Sequence, residues 1–162
     1  MQNIIVTGGL GFIGSNLIEL LLHKNFKVIN IDKITYSSNF YNTQDYTKNS
    51  NYRFIKCDLN DKINLSKIIF KYKPKGIFNL AAETHVDRSI DNPKNFINSN
   101  ILGVFNLLEI FRKFSKINKK TRLIHISTDE VYGDIIRGRS HEDFSYKPSS
   151  PYAASKAASD HL

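Results

Sequence analysis

Cysteine is nearly absent from the 162-residue sequence, which contains only Cys57. A single cysteine allows no disulfide bond within the chain, and this favours a cytoplasmic location. Cys57 stands at the predicted end of a strand, so we interpret it as a packing residue rather than a nucleophile. The sequence therefore predicts neither a disulfide framework nor cysteine-based catalysis.

Long apolar runs are absent as well, and none approaches the roughly 18 residues of a membrane-spanning helix. The first residues, MQNIIVTGG, lack the pattern of a secretion signal. Acidic residues are fewer than basic ones, 15 against 23, and the net charge is +8. Nucleic acid is the usual partner of so basic a chain. However, the densest cluster, residues 113–122, lies at a predicted helix end, where cations are favourable, and we interpret it as a solvated face.

Short apolar runs alternate with helical patterns along the chain. Such runs are typical of parallel strands buried on both faces. The runs lie at 4–6, 28–31, 54–55, 77–80 and 123–126, and helices are predicted at 12–24, 61–73, 93–116 and after Pro151. This order predicts one α/β domain over residues 1–162, a Rossmann-type doubly wound parallel sheet.

Local signals place several boundaries. Asp61 is expected to cap the second helix, and Asn92 to cap a third that begins at Pro93. Residues 36–51 are polar, which predicts a loop or a short irregular helix. The sequence stops inside the helix after Pro151 without a helix-ending signal, so we expect a longer protein with a C-terminal substrate domain.

A glycine-rich turn follows the first predicted strand. Gly8, Gly11 and Gly14 have the spacing G-x-x-G-x-x-G and open the first helix. Glycines permit a sharp turn and a close approach of the backbone to a pyrophosphate. The N–H groups of Phe12 and Ile13 would then bind the phosphates. The motif predicts a dinucleotide site, with a purely structural glycine turn as the alternative.

Acidic residues at strand ends indicate which dinucleotide binds. Asp32 ends the second predicted strand, where an acid accepts hydrogen bonds from ribose hydroxyls and repels a 2′-phosphate. NAD is therefore favoured over NADP, although Lys33 would reduce the repulsion. Asp58, after the third strand, is placed either to meet the adenine end or to serve as an ordinary strand-end acid.

Tyr152 and Lys156 form a Y-x-x-x-K pair on the last predicted helix. They share one helix face, and an ammonium beside a phenol is expected to lower the pKa of the tyrosine. Such a tyrosine takes a proton from an alcohol while hydride leaves to NAD. The pair alone is equally a helix surface pair. Together with the glycine motif, and with Thr128 to hold the substrate oxygen, it predicts dehydrogenase chemistry.

Asp129 and Glu130 lie side by side in the stretch STDEVYGD, directly after an apolar run. One interpretation is a simple turn, in which aspartate is common. The other is an acid and a base aimed at one substrate. Neighbours on a regular strand point to opposite faces, so both can serve only if the strand has ended before them.

These motifs resemble the extended short-chain dehydrogenase/reductases. STDEVYGD, LAAETHVDRS (80–89) and SSPYAASKAASDHL (149–162) are similar to the dTDP-glucose 4,6-dehydratase family in that group. The likeness covers residues 2–162, and the family's chains extend well beyond this length. It implies an NAD-dependent, cytoplasmic, homodimeric lyase of deoxysugar biosynthesis that converts dTDP-glucose to its 4-keto-6-deoxy derivative. We expect residues 1–162 alone to show little or no turnover.

The resemblance also implies residue roles. Tyr152 takes the C4 hydroxyl proton during oxidation, Glu130 removes the C5 hydrogen, and Asp129 protonates the departing C6 hydroxyl before hydride returns to C6. Thr84 and Thr128 would contact the substrate. Further cofactor contacts are implied for Lys33, Thr35, Asp58, Leu59, Leu80, Ala81, Ala82, Ser99, Tyr152 and Lys156.

Two remaining features receive structural interpretations. His85, Asp87 and Arg88 are tempting as a catalytic cluster but are interpreted as structural, with Arg88 paired to an acid. An apolar stripe is expected to lie mostly in the core, with the remainder and the 150–162 helix forming a dimer face, as the resemblance implies. The stripe consists of Phe96, Ile97, Ile101, Leu102, Phe105, Leu108 and Phe111.

Other functions stay open at this point. A UDP-sugar 4-epimerase keeps the tyrosine and lysine but needs no acid–base pair. A UDP-glucuronate decarboxylase resembles this stretch with Glu130 but without Asp129. A non-catalytic NAD-binding module would keep only the glycines and Asp32. No metal ligand set is predicted.

Overall fold

A computed structural model describes residues 1–162 and contains one five-stranded parallel sheet. The strands are β1 (Asn3–Thr7), β2 (Lys27–Asp32), β3 (Tyr52–Lys56), β4 (Gly76–Asn79) and β5 (Arg122–His125), in the order β3-β2-β1-β4-β5. The predicted strands and the Rossmann-type doubly wound sheet are confirmed.

Helices cover both faces of the sheet, as the nearly continuous apolar runs of the strands require. They are α1 (Phe12–His23), α2 (Lys62–Tyr72), α3 (Val86–Asp91), α4 (Pro93–Phe96), α5 (Gly103–Ile117) and α6 (Pro151–Asp160). Side chains alternate along each strand. Ile5 packs with α2 and α5 on one face, while Ile4 and Val6 pack with α1 on the other.

The predicted helix boundaries are largely confirmed. The side chain of Asp61 caps α2 by accepting a hydrogen bond from Asn64 N, and Ser150 caps α6 in the same way. Asn92 precedes the helix that begins at Pro93, but its side chain makes no capping bond. Within residues 36–51 the chain forms a short 3-10 helix, Phe40–Tyr46, as expected for this polar segment.

The predicted apolar stripe is wrong in one respect, because most of it does not lie in the core. Helices α4 and α5 are joined by a π-helical segment, Ile97–Leu102. A π segment inserts extra residues per turn and so rotates the face of the helix that follows. The apolar side chains of α5 that are buried are Val104, Leu107, Ile110 and Phe114, whereas Ile97, Leu102 and Phe105 are exposed.

No helix of the chain combines the length and the apolar character needed to cross a lipid bilayer. This agrees with the lack of long apolar runs.

Candidate functional site

The loop between β1 and α1 brings two backbones into direct contact. Gly8 has φ +70, and a Cβ added to it would lie 2.7 Å from the backbone nitrogen of Ala81. A Cβ on Gly14 would collide with the carbonyl oxygen of Gly8. No side chain caps the N-terminus of α1, so the N–H groups of its first turn face the open end of the sheet.

A cleft of about 510 Å³ opens at this end of the sheet. The volume is within the range of small-molecule and cofactor sites. Every residue assigned to the cofactor from the sequence lines it, and so does Thr84. These residues are Gly8, Gly11, Phe12, Ile13, Gly14, Asp32, Lys33, Thr35, Asp58, Leu59, Leu80, Ala81, Ala82, Ser99, Tyr152 and Lys156.

Asp32 is held rigidly at the end of β2. One carboxylate oxygen accepts from Leu10 N at 3.1 Å, and the other accepts from Ile34 N at 2.8 Å and from Ser38 Oγ at 2.9 Å. Ser38 also lines the cleft and was not identified from the sequence. The carboxylate therefore has a fixed orientation before any ligand binds.

Lys33 does not lie free beside Asp32. Its ammonium donates to Ser99 Oγ at 2.6 Å and lies 3.5 Å from the Glu83 carboxylate. Glu83 follows β4, and Ser99 lies in the π-helical segment, so both are on the other side of the cleft from β2. Lys33 therefore joins the two walls of the cleft.

The expected ion pair of Arg88 is wrong. Its guanidinium carbon lies 3.8 Å from the centroid of the Tyr36 ring, which is a cation–π contact. The ring of His85 also lies beside Tyr36, with centroids 5.7 Å apart. The cluster at 85–88 thus anchors the loop after β2.

Cys57 is buried at the base of the cleft and packs in the main core. Burial, with smaller contributions from Asp61 and Asp58, raises the pKa of its thiol to about 11. A thiol that stays protonated is a poor nucleophile, in agreement with its interpretation as a packing residue. Asp58 lines the cleft, and one oxygen of its carboxylate accepts from Asn60 N at 2.9 Å.

Tyr152 and Lys156 lie on one face of α6, as predicted, but their electrostatics differ from the expectation. Burial raises the pKa of Tyr152, the nearby hydroxyl of Thr128 opposes this, and the charges of Glu130 and Asp129 raise the pKa further. Lys156 does not lower the pKa of Tyr152, because its ammonium donates to the carbonyl of Ile126 at 2.5 Å. Burial also lowers the pKa of Lys156, and Asp160 counteracts this effect.

The two adjacent carboxylates lie in a 3-10 turn, Asp129–Tyr132, after β5 has ended at His125. Thr128 caps the turn, its hydroxyl accepting from Glu130 N at 3.2 Å. The condition that the strand must end before the acids is therefore met. The pair does not line the cleft itself but lies close enough to influence the Tyr152 phenol at its rim.

A buried polar chain beneath Lys156 was missed in the sequence. Thr7 donates to Asn79 Oδ1 at 2.5 Å, and the Asn79 amide donates to His125 Nδ1 at 2.9 Å. His125 Nε2 lies 3.2 Å from Ser159 Oγ and 3.4 Å from Lys156 Nζ. Alternation along β4 and β5 places these side chains on one face, but nothing in their spacing marks them as partners.

Comparisons with known proteins agree with this geometry. The family model of GDP-mannose 4,6 dehydratase matches residues 5–162. The chain belongs to this family. A probable dTDP-glucose 4,6-dehydratase of Sinorhizobium fredii is 44% identical over 167 residues, which cover 99% of this chain and 48% of the relative. The chain thus spans about half the length of such relatives, and its resemblance to 4,6-dehydratases is confirmed.

Solved structures of the family and of related enzymes show the same fold. The dTDP-glucose 4,6-dehydratase of Bacillus anthracis, in complex with NAD, has a TM-score of 0.85 at 37% identity and matches 99% of this chain and 49% of that one. The UDP-glucose 4-epimerase of Thermus thermophilus, in complex with NAD, has a TM-score of 0.86 at 33% identity over 98% and 49%. Dehydratases and epimerases therefore share this architecture.

His125 should make folding stability depend on pH. Burial, with the nearby charge of Lys156, lowers its pKa from 6.5 to about 4, and Asp160 opposes the shift. The unfolded chain then binds more protons than the folded chain between these values. Stability is present above about pH 6.5 and falls by up to about 3 kcal/mol as the pH drops to about 4. Urea denaturation of the wild type and His125→Gln across this interval measures the effect. A slope that persists undiminished in His125→Gln would contradict it.

Proposed function

We propose that residues 1–162 are the NAD-binding domain of a nucleotide-sugar 4,6-dehydratase that acts on dTDP-glucose. The observation that carries this proposal is the adjacent pair Asp129 and Glu130, held in a turn beside the buried phenol of Tyr152. Water elimination from a hexose needs an acid and a base in addition to the group that oxidises C4.

The cleft residues fit NAD. A Cβ at Gly8 or Gly14 would collide with neighbouring backbone atoms, so these glycines permit the tight turn from strand to helix that a pyrophosphate site uses. The uncapped N-terminus of α1 offers N–H donors and the positive end of a helix dipole to the phosphates. Asp32 presents a fixed carboxylate suited to ribose hydroxyls. The relatives solved with NAD bound support the same assignment.

The chemistry then divides among the residues at the rim. NAD, when bound, would supply the oxidation of C4 and the later reduction of C6. Tyr152 would take the proton of the C4 hydroxyl, and Thr128 would hold the same oxygen. The resulting ketone acidifies C5, from which Glu130 would remove the proton, while Asp129 protonates the departing C6 hydroxyl. Thr84, on the opposite wall, would contact the sugar.

The substrate assignment draws on the whole family rather than on this chain. Relatives of about twice the length are 4,6-dehydratases, and we propose that sugar-nucleotide contacts lie in the half that they carry beyond the match. For that reason the 162 residues alone are expected to be nearly inactive. A cytoplasmic location also stays a proposal, which cell fractionation would test.

The cofactor assignment predicts that Gly8→Ala weakens NAD binding. The new Cβ must displace the Ala81 backbone or tilt the loop, since it would lie 2.7 Å from Ala81 N. We expect at least a tenfold loss of affinity, about 1.4 kcal/mol, by isothermal titration calorimetry with NAD. The matched control is Gly138→Ala, where φ is +87 but no atom lies within 4 Å. Equal affinities in the two variants would count against the assigned cradle.

The acid–base assignment predicts that Asp129→Asn and Glu130→Gln in the full-length protein each slow dehydration on the order of 10²–10⁴-fold. The assay incubates enzyme with NAD and dTDP-glucose and follows loss of one water by mass. NAD affinity should be retained. Asp134→Asn is the control, because its carboxylate only accepts from Ser149 on the neighbouring loop.

Unchanged rates in both acid variants would refute their roles. Interconversion of glucose and galactose nucleotides without water loss would make the protein an epimerase. Release of carbon dioxide from UDP-glucuronate would make it a decarboxylase. NAD binding without turnover of any of these would favour a non-catalytic module.

We also propose that the full-length protein is a homodimer. Ile97, Leu102 and Phe105 are 48%, 47% and 41% exposed on one side of the 93–117 helix, an apolar face that a second copy would cover. Phe105→Ser should convert the dimer to a monomer in light scattering at micromolar concentration. Phe144→Ser, at a phenylalanine 52% exposed on another surface, should not. A wild-type monomer would disprove the proposal.

A further inference from the structure

The last residue of β5 and the two residues that follow it are each bonded to α6. The contacts join His125 Nε2 to Ser159 Oγ (3.2 Å), Lys156 Nζ to the carbonyl of Ile126 (2.5 Å), and the Ser127 hydroxyl to Asp160 Oδ2. Helix α6 also carries Tyr152. One helix therefore sets the position of both the phenol and the segment that leads into the carboxylate pair.

Asp160 is the centre of this arrangement. Its Oδ2 accepts from Ser127 and from the phenol of Tyr146 at 3.3 Å, and its Oδ1 lies 3.8 Å from His125 Nε2. The side chain is only 12% exposed. Oδ2 thus accepts from two donors, one in the segment after β5 and one in the loop that precedes α6, while Oδ1 faces the His125 ring.

Burial of this carboxylate carries a desolvation cost, which hydrogen bonds and opposite charges offset. No step of the proposed dehydration uses Asp160. At this position Asp160 accepts hydrogen bonds from Ser127 and Tyr146.

We propose that Asp160 is a positioning residue, which holds the acid–base turn beside Tyr152 by accepting the hydrogen bond of Ser127. The inference rests on the proposed function. The connection is short: Ser127 precedes Thr128, and Thr128 caps the turn by accepting from Glu130 N. Loss of the Ser127 anchor lets the turn move relative to α6. Elimination, which needs both carboxylates, suffers more than C4 oxidation, which needs Tyr152.

The test separates the two steps in the full-length protein. A single turnover with NAD and dTDP-glucose is quenched at intervals, and the 4-keto sugar that retains its C6 oxygen is quantified apart from the product that has lost water. Asp160→Leu removes the acceptor at similar size. Elimination should slow on the order of 10²-fold, as a displaced catalytic group does, while C4 oxidation slows much less. Asp160→Asn keeps an acceptor oxygen and should lie closer to the wild type.

Ser127→Ala tests the same bond from its other side, and carries the test if Asp160→Leu does not fold. It should show the same selective loss, and the double variant should be no slower than the slower single variant, because both remove one interaction. Asp143→Leu is the matched control at an exposed acid of the loop before α6. NAD affinity, measured by calorimetry, should be equal in the wild type and in the Asp160 and Asp143 variants, whose positions do not line the cleft.

Two results would overturn the inference alone. One is wild-type elimination in Ser127→Ala or Asp160→Leu. The other is an equal slowing of oxidation and elimination, since that is the effect of general support for the fold. A wild-type enzyme that releases no water would overturn the proposed dehydration and this inference with it.

Discussion

The contact between the backbones of Gly8 and Ala81 is the constraint on which the rest of the site depends. β1 lies between β2 and β4 in the parallel sheet, so the C-terminal ends of β1 and β4 are side by side. The connections depart to opposite faces of the sheet, and a crevice opens between them. With no side chain at Gly8, the loop can fold down against Ala81, and the N-terminus of α1 becomes the floor of the cleft. A side chain there would push the two walls apart.

Around this floor the two walls are joined by polar contacts as well as by apolar packing. Lys33 reaches from the end of β2 to Ser99 and Glu83. Asn100, in the π-helical segment, binds both the N–H and the carbonyl of Glu83 and donates to Ser155 of α6. Burial makes such contacts strong when every group is satisfied. A few directional bonds thus help to keep the shape of the cleft.

Burial also governs the charges around α6. It lowers the pKa of His125 and of Lys156 and raises that of Tyr152, because burial penalises the charged form of each group. The carboxylate of Asp160 opposes this for the two bases. Ionisation of these groups costs free energy in the buried site, so neighbouring charges have large effects on their pKa values.

The sequence by itself determined the strands, most of the helix starts, the glycine turn and part of the cleft lining. Each depends on short-range rules: apolar runs for buried strands, Asp61 as a cap, and the ends of parallel strands meeting at one edge. Family resemblance carried Thr84, Leu59 and Ser99 to the same cleft, which spacing alone did not reach. Asp160 had a visible signal, since it stands four residues after Lys156 on one helix face, but many acids share that spacing.

Only the tertiary structure decided the rest. The π segment at 97–102 rotates α5, so the core face is Val104, Leu107 and Ile110 rather than the predicted stripe. Arg88 meets the Tyr36 ring from a loop 52 residues away in sequence instead of an acid. Lys156 turns to the Ile126 carbonyl, so burial and two carboxylates set the Tyr152 pKa. These outcomes depend on which groups, distant in sequence, come into contact and on how deeply they are buried. Local sequence patterns determine neither.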